Sequence, residues 1–488
     1  MTRTISIDPI TRLEGHGKIE IFLGDDGSVR NCFFQIPELR GFERFVVGRP
    51  IEELPRIVTR ICGVCPASHH MASAKAVDGC FGNEVPPVAH KLRDMYYHAH
   101  FIHSHVAHFY ALAAPDFVCG PESDPAVRNI LGVVAKVGLE IGGRVIKARS
   151  MAQRIQQLLG GRTTHPVWCL PGGVAKGLKK EELNEIKPMV KELAGFTEFS
   201  LKLFHDVVLK NPQYVDLILN GPYTLDVQFM GLVDKDNAPN FYDGQVRVVD
   251  FEGHEICKYQ PDRYFEHVAE HVEPWSYLKF PYLRKRGWKG FVEGINSSIY
   301  CATPLARLNV ADRMATPRAQ EAYEGMFKTL GGKPCRALMA NHWARLVEMV
   351  QNAEMLERYC ADPEITSDKF RVLPQQITGT GIGIVEAMRG TLTHHYTCDK
   401  NGICTGANLI VGTTNNNAPI QMVTKKVAQT LIRPGKEPNQ GILNMIEMAF
   451  RAFDPCYSCA THTLPGQMPL EVSVYQGGKL QHHFKRGS

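Results

Sequence analysis

The chain has 488 residues, 44% hydrophobic and 22% charged, with a formal net charge of +5, an ordinary globular composition with room for a large core. So slight a positive excess, without a dense basic block, argues against a nucleic-acid reader, which carries a basic stripe. No run of 18 apolar residues predicts a membrane helix, "MTRTISIDPITRLEGHGKIEIFL" lacks the apolar stretch of a secretory signal, and fourteen cysteines are too sparse for a secreted disulfide scaffold.

In chain order, residues 4–35 predict short strands around a "GDDGS" turn. "PIEELPRIVTRI" is amphipathic and helical, Gly63 and Pro66 interrupt it, and helical pattern resumes through "ASHHMASAKAV". Helical spacing then runs from Val88 to Leu112, from Pro125 to Gly160 as one long element, and from Lys179 to Leu209. Residues 212–310 are mixed, with short strands such as "GQVRVVDFEG". Helices return at 316–330 and 336–361. The alternating stretch around "DKNG" predicts a hairpin, followed by helices near 418–433 and 440–453. Beyond Thr463 come a Gly-Gln turn and a strand-like "PLEVSVYQ". No repeat or low-complexity linker divides the chain. The reading is one large, mainly α (α+β) unit, a helical core with small peripheral sheets. Cys32, Cys80, Cys119, Cys169, Cys257, Cys301, Cys335 and Cys360 stand alone and read as small buried hydrophobes of a reducing cytoplasm.

Two stretches stand out. "RICGVCPASHH" holds Cys62 and Cys65, and "DPCYSCATH" holds Cys456 and Cys459. Brought together, these pairs offer four thiolates, a donor set for a soft metal or a metal cluster. Asp454 and Pro455 read as the N-cap and first residue of a helix, and Pro66 as the start of another. Both pairs would then lie at helix N-termini, where the positive end of the dipole favours the thiolate. His69 and His462 follow within reach. Spacing leaves structural zinc, an iron-sulfur cluster and a more specialised centre all open.

In these contexts the two motifs resemble those of the nickel-iron hydrogenase large (catalytic) subunit. The likeness continues through "DPITRLEGHGKIEI", "RGFERFVVGRPIEELPRI", "HFYALAAPDF", "WSYLKFPYL", "ARLNVADRM", "GIVEAMRGTLTHHY" and "IEMAFRAFDPC", and is nearest the soluble cytoplasmic branch, the NAD-reducing and methyl-viologen-reducing, heterodisulfide-reductase-linked enzymes. The resemblance implies that Cys62 and Cys456 are terminal nickel ligands, and that Cys65 and Cys459 bridge nickel to an iron carrying carbon monoxide and cyanide. It implies an Arg389 suspended over the metals and held by Asp116, a proton-relay Glu14, and a His69 bonded to a bridging cysteine. It also implies a magnesium or similar ion bound by Glu43, His462 and the main-chain carbonyl of Leu409. Met388 departs from the family's pattern, which has proline there.

The resemblance further implies reversible cleavage of dihydrogen. A bound metal pair polarises that molecule, Cys456 accepts the proton, Glu14 passes it on, and Arg389, charged at any ordinary pH, orients. His103, His105, His108, His394 and His395 read as packed or solvated. Beyond the two pairs only Cys398 and Cys404 lie close in sequence, too few for a ladder of clusters. Electrons should therefore leave through an iron-sulfur small subunit to a flavin-containing NAD-reducing or heterodisulfide-reductase module. A nickel-insertion step and a maturation protease that removes residues 463–488 from the 1–462 catalytic domain complete the expectation. The competing readings are a non-catalytic scaffold like the quinone-site subunit of respiratory complex I, and a zinc-stabilised structural protein.

Overall fold

The computed structural model describes residues 3–462, 470–476 and 479–486. Strands β1 (Arg3–Ile7), β2 (Lys18–Leu23) and β3 (Val29–Gln35) form an antiparallel meander. In β2 every second residue, Ile19, Ile21 and Leu23, is buried, the period-2 pattern of a half-covered sheet. The Gln421 amide accepts from Phe34 N (2.8 Å) and donates to Cys32 O (2.6 Å). It thereby satisfies the outer edge of β3 and ties the chain's start to a late helix.

Helices α1 (Pro66–Cys80), α2 (Pro87–Ala107), α3 (Leu139–Gly160), α4 (Lys180–Phe204) and α5 (Asn341–Ala361) follow. The last four pack around one another: α2 lies against α3 and α5, and α4 closes the ring against both. The expected single helix from 125 to 160 is two. Gly138 takes a left-handed φ of 91° and separates Ile130–Val137 from α3, a conformation that glycine adopts at little cost. Past Ala107, α2 continues as π-helical turns over His108–Ala113 and Pro115–Cys119. Such turns widen a helix and often mark functional positions.

Between α4 and α5 stands a four-stranded sheet of β4 (Gln228–Val233), β5 (Gln245–Val249), β6 (Glu255–Tyr259) and β7 (Tyr300–Cys301), in the order β7-β4-β5-β6. The stretch around "DKNG" forms two turns where one was expected. β8 (Thr380–Ala387), β9 (Gly390–Cys398) and β10 (Cys404–Ile410) make a three-stranded meander. The additional turn, Met388–Arg389, is only two residues long.

α1 lies directly on this meander. A Cβ at Gly381 would stand 1.9 Å from Ala76 O, and one at Gly383 2.0 Å from Ala72 O, so the "GIG" of β8 lets helix and strand backbones meet. That contact sets Cys65, at the head of α1, opposite Arg389. α6 (Asn417–Leu431) and α7 (Gln440–Arg451) follow, and α7 delivers the second cysteine pair. β11 (Leu470–Gln476), where a strand was expected, pairs with β12 (Lys479–Arg486). The Gly-Gln turn lies outside the described residues.

Candidate metal centre

The first pair is positioned by local structure. Cys62 is extended, and its Sγ accepts from the N–H groups of Val64 and Cys65 at 3.2 Å each. Cys65 is the N-cap of α1, with Pro66 at the first helical position, where its missing N–H costs nothing.

The second pair departs from expectation. Asp454 is no N-cap and Pro455 opens no helix. Asp454 has a left-handed φ of 55°, Cys456 is extended, and only the four-residue turn Tyr457–Ala460 follows. Long-range bonds hold the segment instead. Cys456 N–H donates to Thr413 Oγ1 (3.0 Å), Tyr457 N–H to Glu14 O (3.0 Å) and Glu14 N–H to Pro455 O (3.4 Å).

Together the two pairs put four buried sulfurs within 4.8 Å of one another. Cys62 and Cys456 are 3.3 Å apart, Cys65 and Cys459 3.2 Å, and Cys456 and Cys459 2.8 Å. All four are free thiols. Burial opposes ionisation of Cys62, yet hydrogen bonds from the other three sulfurs and the charge of Arg389 bring it well below the usual thiol range. Burial and the neighbouring sulfurs hold Cys456 and Cys459 well above it. For Cys65, bonds from Cys456 and Cys459 pull down, but the bond to Cys62, burial and the Cys62 charge win, and it too is raised. Helix termini therefore do not make four thiolates here. Sulfurs this close cannot all carry charge unless a cation joins them, and four soft donors fit a thiophilic metal centre.

Charged and polar side chains close around the sulfurs. Glu14 Oε2 accepts from Cys456 Sγ (3.0 Å) and from Ser458 N–H (3.1 Å). His69 Nε2 lies 3.4 Å from Cys459 Sγ, and burial pushes its pKa down to about 4. Arg389 projects from the two-residue turn. Burial disfavours its charge, but Asp454 and the cysteine sulfurs outweigh this and raise it above the ordinary guanidinium range.

The turn is braced by Arg307, which donates to Ala387 O (2.8 Å) and Met388 O (3.3 Å) and is itself held by Glu348 and Glu386. Gly390, φ 149°, admits no side chain, since a Cβ would stand 2.5 Å from Ala302 O and 2.6 Å from Gly412 O. Met388 is buried, with the Ser68 hydroxyl 3.8 Å from its sulfur.

Asp116 does not hold Arg389. It pairs with Arg12 (2.5 Å) and Arg451 (3.0 Å) and accepts from Asn444 (3.0 Å), because Arg12 of the β1–β2 loop and Arg451 at the end of α7 claim both of its oxygens. The carboxylate on Arg389 is Asp454, at 3.0 Å. Asp454 also meets His108 Nδ1 (3.0 Å), and His108 Nε2 lies 3.4 Å from His342. His342 lines an apolar cavity with Phe109, Phe117, Val133 and Phe204, the kind of dry space that small apolar molecules enter.

Sequence reasoning passed over Asp454, Thr413 and Arg307. Only Asp454 gave a signal, by adjoining the motif, and it was assigned a capping role. His103, His105, His108 and His394 are buried and His395 partly so. Of the isolated cysteines all are buried but Cys257.

Glu43 meets Leu409, and His462 packs edge-on against the neighbouring Phe42. Glu43 Oε1 accepts from Leu409 N–H (2.8 Å) and from Lys279 Nζ (2.8 Å), while its buried Oε2 has no partner among the described residues. Burial raises the Glu43 carboxyl against the pull of Lys279. Orphaned buried polar atoms of this kind call for a ligand, and carboxylate, imidazole and main-chain oxygen fit a hard cation.

A buried four-sulfur centre closed by both ends of one chain defines a protein built around a soft-metal site. The model of the nickel-dependent hydrogenase family matches residues 40–122 and 225–462, and a HoxL-like model matches 4–39. The chain belongs to the nickel-dependent hydrogenase family. It is 49% identical to an iron-sulfur subunit of the F420-non-reducing hydrogenase of Archaeoglobus profundus, over 97% of each chain. It is 36% identical to the NAD-reducing hydrogenase HoxS subunit beta of Cupriavidus necator, over 98% of this chain and 99% of that one. Among solved structures, an NAD+-reducing [NiFe]-hydrogenase in the H2-reduced state superimposes with a TM-score of 0.88 at 37% identity, covering 94% of this chain and all of the other. No helix among the described residues is long and apolar enough to cross a membrane.

Proposed function

We propose that this chain is the catalytic subunit of a nickel-iron hydrogenase that splits and forms dihydrogen reversibly. The observation that carries the reading is the four-sulfur cage with Glu14 on one sulfur, His69 on another and a charged Arg389 closing it. Cys62, Cys65, Cys456 and Cys459 would together hold the nickel-iron centre, whose iron would carry carbon monoxide and cyanide. When bound, the centre supplies the Lewis acidity that polarises dihydrogen and takes up its electrons.

The chain's own residues do the rest. Cys456 Sγ accepts the proton, and Glu14 Oε2, 3.0 Å away, takes it onward within hydrogen-bond reach. Arg389 keeps its charge beside Asp454 and so orients and stabilises charge; it is a poor base. Glu43, His462 and the Leu409 carbonyl hold a magnesium or similar ion, with Lys279 bracing Glu43.

Electrons leave through partners. Cys80, Cys398 and Cys404 lie near one another, but among the described residues no second group of three or more cysteines brings its sulfurs all within 4.8 Å, which supports an iron-sulfur small subunit. An NAD-reducing flavin module or a heterodisulfide-reductase module lies beyond it, in the cytoplasm. Residues 463–488 form an extension that a maturation protease removes after nickel insertion from the single catalytic domain 1–462.

Metal analysis of the anaerobically purified complex tests the reading, with iron corrected for the partner's clusters. Nickel equimolar with the chain, excess iron and hydrogen-dependent dye reduction are expected. Zinc without nickel would sink it in favour of a structural site. Nickel-loaded protein without hydrogen activity would favour the electron-transfer scaffold.

A further inference from the structure

One cysteine-bearing stretch, "TCDKNGIC", takes no part in the metal centre. Cys398 closes β9 and Cys404 opens β10, with the five residues of "DKNGI" turning between them. The two cysteines are direct cross-strand partners, just past a bulge that leaves Thr405 unpaired. Their backbones bond elsewhere. Cys398 N–H donates to Gly379 O (2.8 Å), Cys404 N–H to Arg49 O (2.8 Å), and Cys404 O accepts from Gly48 N–H (2.8 Å). In such a non-hydrogen-bonded pair the side chains are close and the Cα atoms stand about 4.5 Å apart. That spacing lies within the roughly 4.4–6.8 Å that a disulfide spans.

Both thiols face inward. Their neighbours Thr397 and Thr405 are exposed on the other face, with hydroxyls 3.0 Å apart. Cys80, the last residue of α1, lies beside Cys398 with its Sγ 3.9 Å from Tyr396 O. All three are free thiols. Cys398 is 9% exposed, Cys404 1% and Cys80 0%, so a reagent from solvent meets Cys398 first. Burial pushes the Cys404 thiol up to about 11 and raises that of Cys80 further, so neither is the first nucleophile. The 15 residues of α1 separate this cluster from Cys65 at the helix head, a span of roughly 22 Å.

We infer that Cys398 and Cys404 form a reversible thiol modification site, which hydrogen peroxide oxidises to a cross-strand disulfide. The inference goes beyond the proposed function and does not rest on it. The Cys398 sulfur attacks the peroxide. An S–O bond forms, the O–O bond breaks, and the thiol proton leaves with the departing oxygen as water. The Cys404 sulfur then attacks the Cys398 sulfur. The S–S bond forms, the S–O bond breaks, and the proton of Cys404 leaves with the hydroxyl as a second water. Two thiols lose two electrons and one peroxide gains them. A small dithiol returns the pair to its reduced form by exchange.

The test is peptide mapping of the purified complex after treatment with hydrogen peroxide, blocking with iodoacetamide under denaturing conditions and digestion with trypsin. Lys400 lies between the two cysteines, so cleavage after it separates them unless a disulfide joins the fragments. A joined pair of fragments is expected, and dithiothreitol should release it. Cys404→Ser should abolish the joined pair and leave a sulfenic acid at Cys398 that dimedone labels. Cys80→Ser should leave the joined pair in place. Before peroxide treatment both variants should reduce dye with hydrogen as wild type does. Separate fragments from peroxide-treated wild type, alkylated or over-oxidised, would overturn the inference. A disulfide from Cys398 to Cys80 instead would overturn it equally. Should Cys404→Ser fail to fold, the wild-type map decides.

Discussion

The two cysteine pairs share one spacing and are built in opposite ways. Cys65 caps a 15-residue helix that Pro66 opens, and Cys62 accepts from backbone groups two and three residues away. The partners of Cys456 are Thr413 and Glu14, 43 and 442 residues away in sequence. One wall of the cage is thus fixed by the local code for helix starts. The other is fixed only when the two ends of the chain meet. Four thiolates therefore depend on a cation joining the two walls: neither a helix dipole nor a motif by itself supplies them.

Replacing a sulfur on the distant wall should have the largest effect. Cys456→Ser should abolish hydrogen-dependent dye reduction, a loss beyond roughly a hundredfold, since even outer partners of a metal cost 10- to 100-fold. Circular dichroism should show the fold kept, and wild-type activity in this variant would sink the assignment.

Glu14→Gln is expected to slow hydrogen–deuterium exchange by about a hundredfold or more, the usual scale of a positioned proton carrier, with nickel content unchanged. A collapse of nickel content instead would show that Glu14 holds the wall together.

Asp454→Asn tests the same wall through its charge. It leaves Arg389 buried without its carboxylate and should cost about 3–5 kcal/mol in denaturant unfolding. Thr413→Val removes one buried acceptor and should cost about 1–3 kcal/mol. On the local wall, Pro66→Ala should cost under about 1 kcal/mol. Equal losses for Thr413→Val and Pro66→Ala would break the contrast between the walls.

Acid probes the helix-borne side most directly. Burial pushes His70, His100 and His108 each down to about 4 from 6.5. The unfolded chain takes up these protons near 6.5, while the folded chain refuses them until about 4. Their stability contribution is whole above pH 6.5 and is lost as pH falls toward 4. Each contributes up to roughly 3 kcal/mol across that window. Urea midpoints at pH 7 and pH 5 should show the drop, and His100→Gln should shrink it.

Much of the molecule was legible in one dimension because its causes are local. The strands of residues 4–35, the start of α1 at Pro66 and most helices follow from periodicity and from proline and glycine. The four sulfurs, Glu14 and His69 were legible through their motifs, and the structure brings them together. What the sequence could not decide were choices between chemically equivalent partners. Nothing in one dimension tells which buried carboxylate meets Arg389. Asp116 was the expected partner and Asp454 is the one found, because Arg12 from the β1–β2 loop and Arg451 from the last turn of α7 take Asp116. The turn that presents Arg389 went unseen because Met388–Arg389 carries no Asn-Gly signature, and Arg307 and the bare Cα of Gly390 hold it from outside. The sequence by itself determined which atoms are available for chemistry. Tertiary packing decided their partners, since burial makes every polar group find one and only the fold settles which is in reach.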